Sequence, residues 1–157
     1  MVAARSALPV LRAMTESDVD AVMAIELAAY AFPWTPGIFA DCLRAGYRAW
    51  LVERAGMVCA YGLLSAAAGE AHVLNVCVDP GQRRTGLARV LMARLLDDAR
   101  TLGAQRVFLE VRPSNIGAVA LYDALGFHLV SRRPNYYPAE HGREDALVMA
   151  MELLPPE

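Results

Sequence analysis

The chain contains no lysine: all fifteen of its basic residues are arginine. That absence removes the Walker phosphate loop, the Schiff-base enzymes and any lysine general base at once. A codon bias toward arginine accounts for the composition, and the chemical exclusion holds either way. Cysteine is scarce, and Cys42, Cys59 and Cys77 form an odd set with no close pairing. They suit neither a disulfide framework nor a zinc knuckle, and each reads as a small core residue. The three histidines, His72, His128 and His141, are far apart and show no metal-ligand spacing, so no metal is expected and each reads as structural or surface. Long apolar runs are missing too. The longest uncharged stretch, Ala55 to Gly69, is broken by Gly56, Gly62 and Ser65 and falls short of the roughly 20 residues that a membrane-spanning helix needs. Arg5 and Arg12 interrupt the first residues, so no secretory leader is expected and the cytoplasm is the expected compartment. A net charge of −2 gives no basic footprint for nucleic acid.

What is present fits one domain spanning residues 1–157. Val10 to Ala13 is a short apolar run, and the Thr15-Glu16-Ser17-Asp18 cluster supplies caps for a helix reaching about Ala29. Pro36 starts a second helix. Tyr47 to Glu53, Met57 to Leu64 and Ala71 to Val78 read as strands, spaced too closely for crossover helices and so expected to pair antiparallel. From Gly86 to Thr101 the residues Leu87, Val90, Leu91, Leu95 and Leu102 recur at helical spacing. Arg106 to Val111 (strand), Asn115 to Leu125 (helix) and Phe127 to Arg133 (strand) read as a βαβ unit. Pro134 to Glu144 reads as a polar loop, Ala146 to about Leu153 as a last strand, and Pro155-Pro156 closes the chain. The fold class expected is α/β with a mixed sheet, antiparallel strands first and a βαβ half after.

Between the strand ending at Val78 and the long helix lies Asp79-Pro80-Gly81-Gln82-Arg83-Arg84-Thr85-Gly86-Leu87-Ala88. A tight strand-to-helix turn exposes unpaired N–H groups whose partial positive charge favours an anion, and pyrophosphate suits it. Gly86 and Ala88 let a ligand approach the backbone, and Arg83, Arg84 and Arg89 add charge. One glycine in such a turn is weak support by itself, since most are ordinary connections.

Its neighbours carry more. Val78-Asp79-Pro80 followed by Arg83-x-x-Gly86-x-Ala88 resembles the acetyl-coenzyme A signature of the GNAT superfamily of N-acetyltransferases, which reads Gln or Arg, two residues, Gly, one residue, Gly or Ala. Ala88 departs from the glycine of many relatives, and a methyl group there is expected to cost little affinity. Leu109-Glu110-Val111-Arg112, Ser114-Asn115, Ala120-Leu121-Tyr122 and Leu125-Gly126-Phe127 resemble the RimI group within it, the bacterial ribosomal-protein alanine N-acetyltransferases. So do Arg132-Arg133-x-Asn135-Tyr136-Tyr137-Pro138, Gly142-Arg143-Glu144-Asp145-Ala146 and Ala31-Phe32-Pro33-Trp34. The likeness spans about residues 10 to 152.

The resemblance implies acetyl-coenzyme A as cosubstrate and the N-terminal amine of a small-subunit ribosomal protein as acceptor. It places the thioester and pantetheine arm along the main chain of Val76, Cys77 and Val78, where N–H groups could stabilise an oxyanion. It assigns the diphosphate to Arg83, Arg84, Thr85, Gly86, Leu87, Ala88 and Arg89, with Asn115 a further coenzyme contact as well as a helix cap. Glu110 is implied as the general base that draws a proton from the incoming ammonium, directly or through water. An α-amine has a reference pKa of about 8, so the task is small. Tyr122 is implied as the general acid, a phenol with reference pKa near 10 donating to the leaving thiolate. Without the motif, Glu110 would read as a surface carboxylate and Tyr122 as a packed aromatic. Phe32, Trp34, Tyr136 and Tyr137 border the acceptor groove or pack at the periphery of the core. Arg143, Glu144 and Asp145 fix that loop or read the acceptor, without a catalytic role. The alternatives are a GNAT enzyme for other protein N-termini or a small amine, and a coenzyme A-binding module without turnover.

Overall fold

The computed structural model describes residues 7–153; Arg5 and the Pro155-Pro156 pair lie outside the described residues. Among the described residues seven strands and four α-helices follow in the order β1 (Val10–Ala13), α1 (Val19–Ala29), α2 (Pro36–Arg44), β2 (Arg48–Arg54), β3 (Met57–Ala67), β4 (Glu70–Val78), α3 (Leu87–Thr101), β5 (Arg106–Val111), α4 (Ile116–Leu125), β6 (His128–Ala139) and β7 (Gly142–Glu152). The strands form one open mixed sheet in the order β1-β2-β3-β4-β5-β7-β6. The chain divides into two compact units, one holding the residues up to Ser65 with Asn75–Asp98, the other Ala66–Leu74 with Ala99 onward.

In the first unit, α1 buries Val22 and Ile25 on one face, and with them Glu26. The helix α3 buries Leu87, Leu91 and Leu95 as their spacing predicts, with Met92 and Leu96 beside them, whereas Val90 and Leu102 are exposed. Each buried leucine contributes about 2 kcal/mol. The helix sits close on β3 because Gly62 has no side chain: a Cβ there would meet Leu95 Cδ1 at 3.1 Å and Val76 Cγ2 at 3.4 Å. Trp50 of β2 fastens the outer face of the same helix, donating from Nε1 to Asp98 Oδ2 at 2.6 Å while the Arg94 guanidinium stacks 4.1 Å over its ring. Cys42, Cys59 and Cys77 are buried free thiols, as the sequence suggests.

The N-terminal cap cluster becomes a 3₁₀ turn, Glu16–Asp18, before α1. Arg12 of β1 holds it, with Nη2 2.7 Å from Asp18 Oδ1 and Nε donating to Glu53 Oε1 at 2.8 Å. The Arg12 hydrogen bond pushes the Asp18 carboxyl down to about 2. A depressed folded-state pKa gives stability that is present above about pH 4 and lost as pH falls toward 2. Arg12 is 38% exposed, so water screens the pair; Asp18→Asn is therefore expected to cost about 1 kcal/mol at pH 7. Urea midpoints of the two proteins should converge near pH 2.

In the second unit, Val107, Leu109 and Val111 of β5 point into the core, as their alternation predicts, and Phe108 and Glu110 share the other face. β5 is the second strand of a parallel pair with β4, in which Glu70–Val73 face Arg106–Leu109. The βαβ unit expected from β5, α4 and β6 keeps its parallel sense, yet its strands are not neighbours. β7 lies between them and is antiparallel to both.

The segment expected as a polar loop, Pro134 to Glu144, is instead largely strand: β6 runs to Ala139 and β7 starts at Gly142. Ion pairs supply the cohesion that apolar alternation does not. Asp145 accepts from Asn135 N at 3.0 Å and from Arg132 Nη1 at 3.2 Å, and Arg143 donates to the carbonyls of Asn135 and Tyr136 at 2.8 and 3.0 Å. The register shifts between Arg133 and Tyr137, where Asn135 takes a positive φ of 52°. This bulge re-aims the tyrosines that follow it.

Candidate active site

The first unit carries the phosphate-type turn. β4 ends at Val78, and Asp79 N donates to Cys59 O at 2.8 Å, which fixes where the chain leaves the sheet. Asp79 Oδ1 accepts from Gly81 N at 3.1 Å and Thr85 Oγ1 donates to Gln82 O at 2.6 Å, closing a 3₁₀ turn over Pro80–Gln82. Gly86 has φ +82° with nothing within 4 Å of an added Cβ, so open space lies where α3 begins. Arg83, Arg84 and Arg89 are exposed around it, and Leu87 is buried beneath. Thr85 is thus a strut of the turn as well as a candidate ligand. The donor set of N–H groups at the start of α3 and exposed guanidiniums, with no carboxylate between Asp79 and Arg89, fits a diphosphate.

Along β4, Cys77 is buried while Val76 and Val78 are half-buried. Tyr30 Oη donates to Val76 O at 3.4 Å. Burial raises the Cys77 thiol above its ordinary range, which keeps it protonated and unsuited to act as a nucleophile.

Glu26 of α1 is a site residue that the sequence reading passes over. Its carboxylate is 1% exposed. It accepts from Tyr61 Oη at 2.5 Å, Asn75 Nδ2 at 3.1 Å and the Trp34 backbone N–H at 2.8 Å. It therefore ties the Phe32–Trp34 segment to β3 and β4. Trp34 stacks 5.0 Å from Phe39, which meets Tyr61 edge-on at 5.7 Å, so Trp34 is packed, while Phe32 is 46% exposed. A helical glutamate at an apolar position, Ile25-Glu26-Leu27, was the available signal. Glu26→Ala would strand three donors and is expected to destabilise the protein by roughly 3 kcal/mol, read from chemical unfolding.

The second unit carries the candidate acid–base residues. The Glu110 carboxylate is 13% exposed, with His72 Nε2 3.4 Å from Oε1 and Arg133 Nε 3.8 Å from Oε2. Oε2 is buried and accepts no hydrogen bond among the described residues. Such an oxygen is available to a ligand. The register explains the juxtaposition with His72: that residue lies directly across from Phe108, so it shares a sheet face with Glu110 two residues further on. His72, expected as structural or surface, is thus a neighbour of the candidate base.

Tyr136 and Tyr137 meet edge-on at 4.9 Å. Burial and then Glu110 raise both phenols, Tyr137 to about 12, so both stay protonated. Arg112 stacks 4.4 Å over the Tyr137 ring and donates to Pro138 O at 2.8 Å. Glu144 accepts from Ser114 N and Oγ, both at 2.9 Å, and from Arg112 at 3.2 Å. Arg143, Glu144 and Asp145 thus act as fasteners of the hairpin. Asn115 caps α4 through Oδ1, which accepts from Ala118 N at 3.3 Å. Tyr122 on that helix is 7% exposed and packs edge-on against Phe127 at 5.8 Å. Among the described residues no group of acidic, histidine and cysteine side chains is placed to hold a metal, and no helix is long and apolar enough to cross a membrane.

A mixed sheet of this strand order is the fold of the N-acetyltransferases. The chain belongs to the acetyltransferase (GNAT) family, whose pattern matches residues 19–127. Among enzymes of that family it is 37% identical over 143 residues to the [ribosomal protein bS18]-alanine N-acetyltransferase of Escherichia coli (strain K12), covering 91% of this chain and 97% of that protein. The Haemophilus influenzae protein of the same name is 31% identical over 137 residues, covering 87% of this chain and 93% of the relative. The crystal structure of the Escherichia coli ribosomal-protein-S18-alanine N-acetyltransferase superposes with a TM-score of 0.88 at 35% identity, covering 96% of this chain and 97% of that one. That of Ard1 from Thermoplasma volcanium superposes with a TM-score of 0.84 at 27% identity, covering 93% and 98%.

Proposed function

We propose that this chain transfers the acetyl group of acetyl-coenzyme A to the N-terminal alanine amine of ribosomal protein bS18, in the cytoplasm. The observation that carries the reading is the 37% identity to an enzyme of that name, covering 97% of the relative. Acetyl-coenzyme A supplies the acetyl group as a thioester. The turn from Arg83 to Arg89 takes the diphosphate on the N–H groups at the start of α3, with arginine charge around it. The main chain of Val76, Cys77 and Val78 holds the pantetheine arm, and Asn115 adds a polar contact.

Glu110 takes the proton from the incoming ammonium at Oε2, the oxygen that accepts no hydrogen bond among the described residues. Tyr122 gives its phenolic proton to the departing sulfur, and the second proton that the nitrogen sheds as the C–N bond forms replaces it on the phenol. Phe32, Tyr136 and Tyr137 contact the acceptor's first residues, and Trp34, packed on Phe39, holds the Phe32 segment in place. The reading is tested by incubating the protein with acetyl-coenzyme A and a panel of N-terminal peptides and free amines, followed by mass spectrometry. The peptide with the bS18 N-terminus should be acetylated at its α-amine in preference to the rest. Preference for another N-terminus or a small amine would move the chain to a different acceptor, and no acetylation of any would leave a coenzyme-binding module.

A further inference from the structure

We propose that His72 is the proton outlet of Glu110, carrying to solvent the proton that Glu110 removes from the acceptor amine. The proposal rests on the assignment of Glu110 as general base. A buried base that takes a proton in each turnover must shed it before the next. Glu110 is 13% exposed, so its own access to water is poor. His72 Nε2 lies 3.4 Å from Oε1 while the His72 side chain is 40% exposed, so the imidazole touches both the carboxyl and the solvent. The other carboxyl oxygen, Oε2, accepts no hydrogen bond among the described residues. The two oxygens thus divide the work, Oε2 toward the amine and Oε1 toward the outlet.

The remaining groups around Glu110 cannot carry a proton near neutrality. Arg133 of β6, with Nε 3.8 Å from Oε2, is a guanidinium that does not deprotonate. Arg112 of β5 is equally fixed in charge and is engaged with Glu144 at 3.2 Å. The phenols of Tyr136 and Tyr137 are raised first by burial and then by the Glu110 carboxylate, and Tyr122 of α4 adds to the rise at Tyr137. On β7, Glu144 and Asp145 are held at Ser114 and Asn135. Imidazole is the side chain whose unperturbed charge change falls between about pH 5 and 8.

The steps balance. The ammonium N–H bond breaks with its electron pair left on nitrogen, and an O–H bond forms on Glu110. The carboxyl proton then passes to the neutral imidazole at Nε2, regenerating the carboxylate, and the exposed imidazolium loses a proton to water. His72 acts through Glu110 and touches no reacting atom.

The test compares His72→Ala, His72→Gln and Glu110→Gln in steady-state assays across pH, with and without added imidazole. Both His72 variants should lose about 10-fold in kcat near pH 7, with KM for either substrate unchanged. Added imidazole should restore His72→Ala and leave Glu110→Gln untouched. Full activity in His72→Gln, or a slow His72→Ala that imidazole does not restore, would overturn the relay. If Glu110→Gln itself matched the parent at every pH, the base assignment would fall instead, so the two failures are separable.

Discussion

Tyr122→Phe is expected to lower kcat by about 100-fold while the dissociation constant for coenzyme A stays at the parental value. The reasoning turns on what the substitution removes. The Tyr122 ring is 7% exposed and packs edge-on against Phe127 at 5.8 Å, and phenylalanine keeps that packing. Only the hydroxyl goes, and with it the proton for the departing thiolate. A thiolate is a better leaving group than an alkoxide, so its protonation contributes less, and the loss should sit toward the lower end of general-acid effects. Stopped-flow or steady-state assays with a saturating N-terminal alanine peptide would measure kcat, and calorimetry the affinity. Loss of coenzyme binding in this variant would assign Tyr122 to the coenzyme site instead.

Glu110→Gln should have a comparable effect with a different pH signature. With a reference α-amine pKa of about 8, roughly one molecule in ten of the acceptor is already deprotonated at pH 7. The variant must wait for that fraction, so kcat/KM is expected to fall about 10- to 100-fold at pH 7 and to recover about tenfold by pH 9. The substitution also leaves Arg133, 3.8 Å from Oε2, without its carboxylate partner. Arg133 is 58% exposed, so that loss is screened and should change stability little. A uniform fall at all pH values would point to a binding role for Glu110.

The parts of this molecule that are legible in the sequence are those governed by local pattern. The face of β5 that buries Val107, Leu109 and Val111 follows from alternation, and the start of α4 follows from an asparagine placed to cap it. The turn at Gly86 is visible because positive φ and a strand-to-helix junction leave a glycine signature. Long-range pairing is what the sequence conceals. The far ends of β6 and β7, within Pro134 to Glu144, read as a loop because that segment is polar, and its order comes from Arg143, Asp145 and Glu144 meeting partners on other elements. Insertion of β7 between β5 and β6 leaves no local trace either. The same holds for the site. Glu110 and Tyr122 are named by a motif, whereas His72 becomes relevant only through the register of β4 against β5. Glu26 becomes relevant only through three donors drawn from Trp34, Tyr61 and Asn75.

The most direct test of the central claim, that the head of α3 grips the coenzyme by its diphosphate, is a pair of calorimetric titrations with coenzyme A and with pantetheine, which lacks that group. Coenzyme A should bind one to one and at least about 100-fold more tightly than pantetheine, a difference of some 2.7 kcal/mol, and Gly86→Val should erase most of the advantage by placing a branched side chain where φ is +82°. Equal affinity for the two ligands, or no heat with coenzyme A, would contradict the account.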